Sequence, residues 1–80
     1  MALGRKMHMK LTPEQREKMV ERLLMGEHAD DLATEYGVDP SLPSLRAYTW
    51  GFTDQRLNTV PHNKITAEGR AWLASRGIVL

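Results

Sequence analysis

The run from residue 28 to residue 52 constrains this chain most, because two short helical patterns meet there at Gly37. Ala29, Leu32, Ala33 and Tyr36 recur at the three-and-four spacing that aligns apolar groups on one face, which predicts a helix over residues 29–36. Gly37 then ends it. The residue after a helix often turns left-handed, and glycine does so without a Cβ clash. Residues 35–38 (EYGV) therefore read as helix, sharp turn and a valine pointing back inside.

The second pattern predicts a helix over residues 42–52 with Ser41 as N-cap, because this start leaves Pro43 in the first turn, where its missing N–H has no partner to lose. A start at Asp39 with Pro40 is the rival, but it puts Pro43 where the first helical hydrogen bond should form. From Ser41 onward, Leu42, Leu45, Thr49 and Phe52 lie along one expected inward stripe with Tyr48 at its edge. Pro43, Ser44, Ala47, Trp50 and Gly51 are expected to look outward, with Arg46 on the flank.

Two further helices flank this pair. Thr12 can cap, Pro13 occupies the favoured first position and Gln15 completes a capping box, so Met19, Val20, Leu23 and Leu24 form the stripe of a helix over residues 13–25 that Gly26 closes. Residues 64–70 (KITAEGR) repeat the outline of residues 10–16 (KLTPEQR) and predict another capped start, for a helix over residues 67–76. Ala71, Trp72, Leu73 and Ala74 would pack it, Gly77 would end it, and Ile78 would fold back. Residues 53–64 between them are polar and read as a loop, with residues 57–60 a candidate short extended piece.

The spacing of Ala33, Gly37 and Val38, behind a long amphipathic brace helix, resembles the helix-turn-helix of small homeodomain-like DNA-binding proteins. The segment over residues 11–52, about half the chain, is similar to the small N-terminal units of resolvases, transposases and phage regulators. The match departs from the family at the second helix. The usual spacing would bury Pro43 and Arg46, so the turn is expected to be about two residues longer, with Leu45 and Tyr48 taking the inward places.

The resemblance implies an all-α fold: a three-helix helix-turn-helix core plus a C-terminal fourth helix, one domain over residues 11–80 behind a basic arm at residues 1–10. It also implies a transcription regulator of phage or mobile-element type that binds double-stranded DNA, with the second helix of the motif in the major groove. Ser44, Arg46, Ala47 and Trp50 would then face the bases, and the N-terminus at Ser41 would approach a phosphate. Arg5, Lys6, Lys10, Arg56 and Lys64 would hold the backbone.

Charge distribution agrees with that picture better than the net charge of +1 does. Residues 1–11 carry +3, residues 12–40 carry −5 and residues 41–80 carry +3, so the arm and second half could face phosphates while the first two helices face away. The bland reading makes the acidic helices merely solvated faces.

Other classes find little support. The chain has no cysteine, which excludes disulfides and a thiolate nucleophile and fits a reducing, cytoplasmic setting. Its three histidines show no paired metal spacing, and no phosphate loop, nucleophile elbow or separated acid pair appears. No enzyme activity, cofactor or membrane span is expected. The rival to DNA is a protein partner docked through Tyr48, Trp50 and Trp72, and Trp72 with residues 78–80 (IVL) leaves a homodimer contact open against simple core packing.

Overall fold

A computed structural model describes residues 11–80, and Arg5, Lys6 and Lys10 of the expected arm lie outside the described residues. Over the described residues the fold is all-α, with four helices: α1 (Pro13–Leu24), α2 (Ala29–Tyr36), α3 (Leu42–Thr49) and α4 (Ala67–Ser75). A 3-10 turn, His62–Lys64, precedes α4. Among the described residues the only extended pairing is one antiparallel bridge between Thr53 and Ile65, so residues 57–60 form no strand. No helix among the described residues is long and apolar enough to cross a membrane.

The caps predicted for α1 and α4 form. Thr12 Oγ1 accepts from the Gln15 N–H at 3.1 Å while the Gln15 side chain accepts from the Thr12 N–H at 2.9 Å, closing a capping box on α1. Thr66 Oγ1 accepts from Gly69 N–H at 3.1 Å to cap α4, and His28 Nδ1 accepts from Asp30 N–H at 3.1 Å to cap α2. The helix ends share one device, a Schellman closure. In α2 the Val38 N–H reaches the Ala33 carbonyl at 3.0 Å and the Gly37 N–H reaches Thr34 at 3.3 Å, with Gly37 at φ 68. A side chain at Gly37 would meet no neighbour, so glycine is needed there for its backbone conformation rather than for space.

Helix α3 stops sooner than its pattern suggested. Gly51 turns left-handed at φ 82, and the Phe52 N–H closes back on Ala47 at 2.9 Å, ending the helix at Thr49 instead of residue 52. This reversal turns Phe52 into the core and hands the chain to the bridge with Ile65.

Helices α1, α2 and α3 pack on one another around Met19, Val20, Leu23, Leu24, Ala29, Leu32 and Ala47. The loop after α3 is anchored rather than draped. Val60 is buried and Leu57 half-buried against the same core, and the Asn58 carbonyl accepts from the otherwise orphaned Ala29 N–H at 2.7 Å. Helix α4 packs on the core through Leu73, while Ala71 and Ala74, also expected to pack, are exposed; Trp72 lies tilted against Phe52 at 4.8 Å and meets Trp50 edge-on at 6.1 Å.

Ion pairs reinforce this packing. Arg22 bridges Glu27 at 2.8 Å and Glu35 at 2.6 Å, joining α1 to α2, and Arg76 donates to Glu17 at 3.1 Å and Glu21 at 2.8 Å, tying α4 to α1. The Lys18 hydrogen bond, with help from Arg76, holds the Glu21 carboxyl below its usual range despite partial burial. Partly exposed pairs contribute about 0–1 kcal/mol each, whereas a buried leucine contributes about 1.5–3 kcal/mol. The apolar contacts of Leu73 and Trp72 therefore decide that α4 stays docked.

Candidate nucleic-acid interface

The surface that α3 presents is set by its rotation, which differs from the sequence expectation. Pro43, Ser44 and Ala47 were expected outward, yet all three are buried, Ser44 at 4% and Ala47 at 0% exposure. Ser44 and Ala47 therefore cannot face a groove. Leu45, Tyr48 and Thr49 were expected inward; Leu45 is only half-buried, and Tyr48 and Thr49 are exposed. The cause lies in volume. Met19, Leu23, Leu24 and Leu32 already fill the centre, so α3 approaches closely only by its small side chains, as Ala33 does from α2.

The turn is also set differently. Ser41 occupies the N-cap position, but its side chain does not cap. Asp39 accepts the Ser41 N–H at 2.9 Å and the Ser41 hydroxyl at 2.6 Å, and the Leu42 N–H closes on the Asp39 carbonyl at 2.9 Å. These two bonds from Ser41 lower the Asp39 pKa below its usual value. A carboxylate thus already stands at the start of α3, which opposes the expected phosphate contact through Ser41.

Trp50 also departs from its groove-facing role. It is half-buried, with its ring edge-on to Phe52 at 5.8 Å and to Trp72, so the aromatic cluster covers part of it. Arg46 stays on the flank. Its Nε is closed off from solvent without a hydrogen-bond partner, and it forms no ion pair among the described residues.

What the outer side of α3 offers is Ser41, Leu45, Tyr48 and Thr49, with Arg46 beside them. Its short hydroxyls are engaged locally: Ser41 donates to Asp39, Ser44 to the Ser41 carbonyl at 3.2 Å and Thr49 to the Arg46 carbonyl at 3.1 Å. The loop and α4 add cations. Arg56 and Lys64 are exposed and form no ion pair among the described residues, and Lys64 sits next to Ile65, which the bridge to Thr53 fastens just past the end of α3. Thr66 strengthens that junction, its hydroxyl donating to the Gly51 carbonyl at 2.6 Å.

Sequence reasoning missed Arg70, which is exposed and whose guanidinium donates to the His62 carbonyl at 2.7 Å, placing a further cation beside the turn that carries Lys64. Its acid-poor neighbourhood could have marked it. Arg76, counted with the positive half, is instead engaged by α1. Half of the acids over residues 12–40 (Glu17, Glu21, Glu27 and Glu35) are likewise held in ion pairs.

No group of three or more metal-ligating side chains occurs among the described residues. Comparison of the chain with protein-family models, curated proteins and solved structures finds no match.

Proposed function

We propose that this chain binds double-stranded DNA as a small transcription regulator, with α3 lying against the major groove and Arg56, Lys64 and Arg70 meeting the phosphates. The observation that carries the reading is the attachment of an unpaired cationic loop to the C-terminal end of an exposed short helix, itself held by a tight turn at Gly37 on a two-helix brace. Most of the acid charge lies on α1 and α2, on the other elements of the fold. Compared with the sequence expectation, the base-facing residues change from Ser44, Ala47 and Trp50 to Leu45, Tyr48 and Thr49, with Arg46 retained.

A titration by fluorescence anisotropy against random duplex tests this. Cation contacts release counterions, so log affinity should fall linearly with log salt, with a slope of about −0.9 for each phosphate held. Three contacts from the described cations predict a slope near −2.7, by about 0.9 per contact. No binding at low ionic strength, or affinity indifferent to salt, would rule the reading out. A protein partner is the second reading, favoured by one observation: Tyr48 is 46% exposed beside Leu45 on the same outer face.

A further inference from the structure

Resting on the DNA-binding reading, we infer that the outer face of α3 recognises the 5-methyl group of pyrimidines in the major groove, with thymine as its ordinary source. Sequence reading in the major groove uses either hydrogen-bonding side chains or apolar contact with the thymine methyl. This helix is poor in the first. It carries no Asn, Gln, Lys, Asp or Glu over Leu42–Thr49. The hydroxyls of Ser41, Ser44 and Thr49 all donate to Asp39 or to neighbouring carbonyls, and its single cation, Arg46, stands on the flank with its Nε sealed from solvent.

What remains outward beside Arg46 is the Leu45 side chain, the Tyr48 ring with its phenol and the aliphatic part of Thr49. Leu45 and Tyr48 are three residues apart and so share one side of the helix. An apolar strip of this width meets a base pair by its methyl group. An A·T pair offers one, whereas an unmodified G·C pair offers none.

The test uses the whole chain and four alternating duplexes: poly(dA-dT), its uracil counterpart poly(dA-dU), poly(dG-dC) and its 5-methylcytosine counterpart. Binding is read as anisotropy at low salt. Burying one methyl is worth about fourfold in affinity, from about 0.8 kcal/mol per carbon at 1.4 kcal/mol per tenfold. The thymine duplex should therefore bind about fourfold or more tightly than the uracil one, and Leu45→Ala or Tyr48→Ala should bring that ratio toward one. Tighter binding of the 5-methylcytosine duplex than of poly(dG-dC) supports recognition of the methyl on either ring, while no gain there supports thymine as the source. Equal affinity for the thymine and uracil duplexes, with salt-dependent binding to both, overturns the inference and leaves DNA binding standing. Absence of salt-dependent binding to all four overturns the DNA reading itself, and this inference with it.

Discussion

Gly69→Ala is expected to destabilise the chain by about 2 kcal/mol, although the same exchange on an open helix surface stabilises by up to about 1 kcal/mol. The sign follows from the space at this position. A Cβ on Gly69 would lie 2.7 Å from Ile65 Cγ2, 2.9 Å from the Phe52 carbonyl oxygen and 3.1 Å from Phe52 Cβ. The isoleucine methyl can turn away, but the carbonyl is backbone. That carbonyl also accepts the Thr66 N–H at 3.0 Å, so moving it disturbs the junction between α3 and α4. At about 4–8 °C per kcal/mol for a domain of this size, the midpoint of a thermal melt should fall by roughly 8–16 °C. A rise would mean that α4 stands away from Phe52.

Trp72→Ala should cost about 3 kcal/mol, near the lower end for deletion of a large aromatic because Trp72 is only half-buried. The ring lies tilted against Phe52, meets Trp50 edge-on and carries the Arg76 guanidinium 4.6 Å from its centroid. Removing it takes a wall from Phe52 and a platform from Arg76 together. Chemical denaturation of the variant should show a lower midpoint, while sedimentation stays that of the unsubstituted chain. Unchanged stability with altered sedimentation would assign Trp72 to a contact between copies. Val79, at 89% exposure, and Leu80 would then be its neighbours in that contact.

Elements whose signals are local were legible in the sequence. The capping box at Thr12 and Gln15, the left-handed stop at Gly37, and the cap and closing glycine of α4 each depend on residues within a few positions of one another, and each appears where its pattern places it. The expectation that α4 packs on the core through Leu73 also matches its complete burial. The rotation of α3 was not legible in the same way. Periodicity favours turning Leu45 and Tyr48 inward because they are the larger apolar groups, but whether a large or small residue fits is decided by α1 and α2, which leave room only for Pro43, Ser44 and Ala47.

The candidate site was misread for that reason. Once the phase of α3 changes, every groove-facing assignment changes with it, apart from Arg46 on the flank. Arg56 and Lys64 are exposed, as loop cations are whatever the helix phase, and Arg70 comes beside them only when α4 folds back beside the 3-10 turn. Asp39 shows the same limit. As sequence it is a turn residue, and only the two hydrogen bonds from Ser41 reveal it as the anion at the start of α3.

The central claim is that α3 and the cationic loop together form the surface that meets DNA, and amide chemical-shift mapping during titration with a short duplex tests it most directly. Perturbations should gather at Leu45, Arg46, Tyr48 and Thr49 and continue through Arg56, Lys64 and Arg70, while the exposed acids Glu14, Asp30 and Asp31 on α1 and α2 stay unmoved. Perturbations centred on α1 and α2 or on the Trp72 cluster, with α3 silent, would contradict it.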